Sequence, residues 1–259
     1  AIQLIGKIQG TNIAQQAWIQ YGRYEIGPYH WAWKWKRFID KRFIEMFHMK
    51  KAMGVHSESM DCRGCAAKLA AEPLRNALKD ATLGSLGNSP EDAVTLDKNW
   101  LQSVDGFPAL ISDPWLNARI TTLHACSDIW ACGATVASIQ ALITLPNIQA
   151  KLQESLLKQI LSGINGAIKE QKAKVLGGHT LVSRDPAPNP ATMGIQISLC
   201  VNGKQHPDLD IWHKGGLQSG DVLLLSKPIG TGVLFAAAMQ NATRATHLDK
   251  ALALMSTSQ

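Results

Sequence analysis

The strongest constraint on the fold is a β-branched run at 136–145, followed within a few residues by the clearest amphipathic helix pattern in the chain, at 148–170. In that pattern Leu152, Leu156, Leu157, Ile160, Leu161 and Ile164 recur at three- and four-residue spacing and share one face. A helix with a single apolar stripe has to bury it against another element, and a strand just before it supplies a sheet. The same alternation runs from residue 60 onward. A short helix is expected at 73–78, with Pro73 tolerated in its first turn, then strands at 92–96 and 100–104 and a long helix within 114–132. Strands at 174–176, 193–201 and 222–226 and a helix from Val233 complete it. The fold class is α/β, or α+β.

Composition narrows the class of protein. Hydrophobic residues make up 46% and charged residues 18%, which marks a globular chain rather than a disordered one. No apolar run approaches the roughly 20 residues of a membrane-spanning helix, and nothing resembles a signal peptide. Five cysteines, an odd number in a chain of this size, suit a reducing, cytoplasmic setting. The net charge of +6 is concentrated in residues 1–58, with nine Lys/Arg against four Asp/Glu. Residues 59–259 hold 17 against 16, so the main body has no broad basic surface for nucleic acid.

Residues 1–58 also hold most of the aromatics. From Trp31 to Phe47, the residues Trp31, Trp35, Phe38, Ile39, Phe43 and Met46 form an apolar stripe opposite Lys34, Arg37, Asp40, Lys41 and Glu45. Two readings stand: a helix packed on another protein domain, or a peripheral helix on an anionic membrane surface. Residues 48–59 read as a polar linker. The sequence opens without Met inside an apparent apolar element and stops directly after a helical pattern, so it reads as a fragment of a longer protein.

The chemistry-bearing residues start at Met60-Asp-Cys-Arg-Gly-Cys-Ala-Ala-Lys68. Cys65 stands three residues before Lys68, and a thiol near a cation ionises more readily to the reactive thiolate. Cys62 and Cys65 form a C-x-x-C, which also fits zinc or a redox pair, but no second Cys/His pair follows at zinc spacing. Asp92, Asp105 and Asp128 each sit among apolar neighbours, where a carboxylate needs a partner or a cation. Together they would make a hard oxygen site for Mg²⁺; singly, each reads equally as a cap or turn residue. The stretch Leu176-Gly-Gly-His-Thr180 reads as a turn whose N–H groups can cradle phosphate, or as an ordinary hairpin. Lys227-Pro-Ile-Gly-Thr-Gly232 has phosphate-loop composition but lacks the Gly-Lys-Ser/Thr ending.

The order of these motifs resembles that of the selenophosphate synthetases. The series is Cys65-x-x-Lys68, Pro90-Glu-Asp-Ala-Val94, Ser103-Val-Asp-Gly-Phe107, the run from Asp113 to Gly133, Gly177-Gly-His-Thr180 and Ser226-Lys-Pro-Ile-Gly-Thr-Gly-Val-Leu234. The resemblance implies an aminoimidazole-ribonucleotide-synthetase-like N-terminal domain at 59–210 and the start of a second, truncated α/β domain at 211–259. Residues 1–58 resemble the tail of a pyridine-nucleotide-disulfide oxidoreductase domain, so FAD and NAD(P) would belong only to the part upstream. The implied reaction converts selenide, ATP and water to selenophosphate, orthophosphate and AMP with Mg²⁺, in a homodimer with nucleotide near the interface. By motif position Cys65 and Lys68 are the implied catalytic pair. Asp92, Asp105 and Asp128 are the implied metal ligands. Lys68, Ser89, Pro90, Glu91, Asp105, Asp128, Gly178, His179 and Thr180 are the implied nucleotide contacts. Arg63 and Ala66 stand where the family usually has glycines, and a further metal-binding Asp of the family falls in a motif later than this sequence extends. The rival readings are a thiamine-monophosphate-kinase-like or hydrogenase-maturation ATPase of the same fold, and a non-enzymatic metal- or membrane-binding module built on Cys62, Cys65 and the helix at 31–47.

Overall fold

The computed structural model describes residues 2–6, 17–21, 23–47, 68–81, 91–184, 194–239 and 242–258. The chain divides into two compact units, Ala1–Glu58 and Ser59–Gln259.

The first unit is an antiparallel three-stranded sheet, β1 (Ile2–Gly6), β2 (Ala17–Tyr21) and β3 (Tyr24–Tyr29), followed by helix α1 (His30–Phe47). The sequence patterns above give the helix but not the sheet. In α1 the small residue Ala32 is fully buried, while Trp31, Trp35, Phe38 and Ile39 are exposed. These four members of the stripe therefore lie at the surface of the unit. The 48–59 linker lies outside the described residues.

The second unit contains α2 (Ala71–Asp80), β4 (Val94–Asp97), β5 (Trp100–Pro108), α3 (Pro114–Ala131), β6 (Ala134–Leu145) and α4 (Ala150–Glu170). After these come β7 (Lys174–Val182), β8 (Gln196–Gln205), α5 (Thr231–Met239) and α6 (Ala245–Met255). The five strands form one mixed sheet in the order β4-β5-β8-β6-β7. Only β6 and β7 run parallel, and α4 is the crossover between them.

Helices α3 and α4 cover one face of this sheet. Leu101 of β5, Ile139 and Ile143 of β6, and Ile197, Leu199 and Val201 of β8 meet Ile129, Ile160 and Ile164, all at most 2% exposed. Helix α3 begins where the sequence dictates: Asp113 accepts the Leu116 N–H at 2.8 Å, and Pro114 occupies the first turn. The opposite sheet face is open, with Val104 69% and Leu142 44% exposed.

Two expected features differ. The stretch at 177–180 is not a turn, because β7 runs without a break to Val182. An extra residue is absorbed as a bulge, since Ile139 pairs with Val175 but Gln140 with Gly177, whose φ is 143°. A Cβ on Gly178 would lie 2.0 Å from the Ala141 carbonyl oxygen, so the glycine serves the close approach of β7 to β6. The strand expected at 222–226 is also absent: Val222, Leu223, Leu224 and Leu225 are 68–92% exposed and pair with no strand among the described residues. A β-branched, leucine-rich run becomes a strand only when a neighbour completes its hydrogen bonds.

Gly163 fixes how closely α4 crosses α3, because a Cβ there would sit 2.2 Å from the Trp115 carbonyl oxygen. Gly166, one turn on, would make only ordinary contacts at 3.7 Å. Gly163→Ala should therefore lower stability by about 1–3 kcal/mol in urea unfolding. Gly166→Ala should leave it unchanged or raise it by up to about 1 kcal/mol.

Candidate active site along the α3–β5 seam

Residues 101, 103 and 105 of β5 turn toward α3, as the alternation of a strand requires. Four residues of helix rise about 6 Å and two residues of strand about 6.6 Å, so every helical turn of α3 meets alternate residues of β5. Two polar pairs follow from this match. The Ser103 hydroxyl donates to Asp128 Oδ2 at 2.6 Å, and His124 Nε2 lies 3.3 Å from Asp105 Oδ2.

Asp105 is 8% exposed. Its Oδ1 accepts the Gly106 N–H at 2.9 Å, whereas Oδ2 is buried without a hydrogen-bond partner. Lys68 Nζ stands 3.6 Å from that oxygen. Burial pushes the Asp105 carboxyl up, but the His124 imidazole, the Gly106 N–H and the Lys68 ammonium together hold it below its ordinary value of 3.8. The His124 ring is kept in place edge-on to Phe107, with centroids 4.8 Å apart.

One helical turn beyond Asp128 the seam reaches Cys132, which packs with Ala93 in the buried core. Asp92 and Glu91 precede that alanine. Asp92 Oδ1 is 2.9 Å from Lys214 Nζ, and Glu91 Oε1 is 3.4 Å from His213 Nδ1. Asp105, Asp128 and Asp92 thus lie along one row that follows two turns of α3, about 12 Å. Lys68 marks one end and Lys214 the other. Among the described residues no three His, Cys, Asp or Glu side chains are gathered into a metal cage.

The remaining sequence candidates fall elsewhere. Cys62, Cys65, Ser89 and Pro90 lie outside the described residues. Gly178, His179 and Thr180 sit in β7, separated from β5 by two strands, about 14 Å across the sheet. The described thiols are poor nucleophiles where they are deepest: burial pushes Cys126 up to about 12, and burial with the nearby carboxylates raises Cys132.

Sequence reasoning missed Ser103, His124 and Lys214. The first two carried a signal, since Ser103 is two residues before Asp105 on a strand and His124 is one turn before Asp128 on a helix. Lys214 carried none.

A sheet backed by α3 and α4 with this acidic row defines a domain class. Residues 90–198 match the family described as AIR synthase related protein, N-terminal domain. The chain is also similar to curated proteins described as selenide, water dikinases. It is 29% identical over 204 residues to the one from Clostridium botulinum, covering 75% of this chain and 55% of that protein. It is 30% identical over 211 residues to the one from Myxococcus xanthus, covering 78% and 56%. A solved thiamine-monophosphate kinase from Stenotrophomonas maltophilia aligns with a TM-score of 0.49 at 16% identity, over 73% of this chain and 62% of that one. The chain spans about half the length of these two dikinases.

The folded Asp105 holds its proton less tightly than an unfolded aspartate, so its contribution is present above pH 3.8 and lost as the pH falls through the folded value. Asp105→Asn should flatten the acid slope of stability below that pH, read from urea unfolding across a pH series. An unchanged slope would contradict the environment described.

Proposed function

We propose that this chain supplies the nucleotide-binding domain of a selenophosphate synthetase, which uses ATP, selenide and water to make selenophosphate, orthophosphate and AMP. The observation that carries the reading is the acidic row, buried at Asp105 and partly exposed at Asp128 and Asp92, with a lysine at its Asp105 end.

The donor set fits magnesium. Asp105 keeps a buried oxygen without a hydrogen-bond partner, and Asp92 and Asp128 add hard oxygens along the same seam. Among the described residues the three carboxylates form no three-ligand cage, so each would contribute singly, with waters and phosphate oxygens completing a Mg²⁺ shell. When bound, the metal would neutralise phosphate charge as the two phosphoanhydride bonds are cleaved.

The chain's own groups have separable parts. Lys68, 60% exposed, is anchored beside Asp105 and free to offer its ammonium to a phosphate. The Ser103 hydroxyl and the Gly106 N–H fix the positions of the Asp128 and Asp105 carboxylates by hydrogen bonds. Cys65 precedes Lys68 by three residues and is the group assigned to selenium. Ser89, Pro90 and Glu91 are assigned to the nucleotide.

Gly178, His179 and Thr180 lie about 14 Å across the sheet from Asp105 and outside its acidic row. We assign their contact to a second copy, paired through the open sheet face bearing Val104 and Leu142. Residues 211–259 would open a second domain, in which the unpaired run at 222–225 would find its strand partners. Residues 1–58 would close an upstream oxidoreductase domain.

Phosphorus NMR of the protein with its full downstream domain, given ATP, Mg²⁺ and selenide, should show a selenide-dependent P–Se product together with AMP. Cys65→Ser should abolish that product, and Lys68→Met should reduce turnover about 10²–10³-fold. Formation of ADP alone, with no P–Se signal, would overturn the reading.

A further inference from the structure

After β8 the chain returns across the C-terminal end of α3. The Trp212 N–H donates to the Cys132 carbonyl at 3.1 Å, satisfying one of the carbonyls a helix leaves open at its end. The indole lies over Gly133, whose φ is 72° and where a Cβ would come within 2.9 Å of the ring. Only glycine admits so close an approach. With the backbone fixed at Trp212, the next two residues fall on the acidic row. His213 meets Glu91 at 3.4 Å, the Lys214 N–H donates to Glu91 Oε2 at 3.3 Å, and the Lys214 ammonium reaches Asp92 Oδ1 at 2.9 Å. Asp128 and Glu91 also act electrostatically on that ammonium.

Lys214 is half exposed, so its ion pair can open without disturbing the core. Its position is that of a cation among three carboxylates, yet it is delivered by a strap outside the sheet rather than by the seam itself. We infer that Lys214 is the built-in counter-cation of the acidic row and that a divalent metal arriving with nucleotide must displace it from Asp92. The inference rests on the metal–nucleotide reading of the row. It adds that metal affinity is set partly by competition with this lysine.

The test is Mn²⁺ binding to the full chain in the presence of the non-hydrolysable analogue AMPPCP, followed by electron paramagnetic resonance. Lys214→Gln should tighten Mn²⁺ about two- to fivefold, the modest effect expected when a partly exposed pair is removed. Lys214→Arg, which keeps the charge, should not tighten it. In the wild type, Mn²⁺ with AMPPCP should raise the rate at which an amine-acetylating reagent labels Lys214, read by mass spectrometry. If Asp92→Asn abolishes Mn²⁺ binding while Lys214→Gln leaves it unchanged or weaker, the counter-cation inference fails and the site reading stands. Slower labelling of Lys214 would likewise overturn it, by placing the ammonium on the nucleotide. If Asp92→Asn and Asp105→Asn bind Mn²⁺ as the wild type does, the metal reading of the row fails, and the inference with it.

Discussion

The pitch match between α3 and β5 is the constraint on which the site depends. One helical turn spans nearly the same distance as two strand residues, so polar residues four apart on the helix face polar residues two apart on the strand. Ser103 with Asp128 and Asp105 with His124 are the outcome. The apolar residues beside them, Leu101 and Ile129, are fully buried in the shared core and hold the pair of elements together. A carboxylate on this seam is costly unless donors and cations surround it. The Gly106 N–H, His124 and Lys68 provide them for Asp105, and the Ser103 hydroxyl gives Asp128 a donor.

Much of the fold could be read from the sequence because its signals are local. The β-branched run and leucine stripe of β6 and α4, and the Asp113-Pro114 start of α3, need no distant partner to be interpreted. The failures occur where distant partners decide. The Gly-Gly-His-Thr stretch has turn composition, yet pairing with β6 holds it in a strand, and the glycine at 178 answers a close approach by Ala141. The run at 222–225 has strand composition but no partner strand among the described residues. Asp92, Asp105 and Asp128 stood out as carboxylates in apolar surroundings, but their order along one seam required the register of α3 on β5. Lys214 reaches Asp92 across more than a hundred residues, and no periodicity can anticipate that pair.

The row has a cation at each end, and the two differ in kind. Lys68 precedes α2 and meets a carboxylate that is almost wholly buried, whereas Lys214 arrives on a strap and meets one that is about one-third exposed. A polyanionic ligand brings its own negative charge to the seam, so it needs positive charge that is retained and, in exchange for the metal, positive charge that can leave. The deep end suits the first requirement and the shallow end the second. The same asymmetry gives the row a direction, from Lys68 at the deep end to Lys214 at the shallow end.

The most direct test of the account is where a metal–nucleotide complex sits on the folded chain. With Mn²⁺ and AMPPCP bound, paramagnetic broadening in amide NMR spectra should centre on residues 104–106, on residue 128 and on residue 92, the three points at which the row carries a carboxylate. If those amides stay sharp while broadening centres on the exposed acidic positions of α4, such as Glu154 and Glu170, the acidic row is not the site.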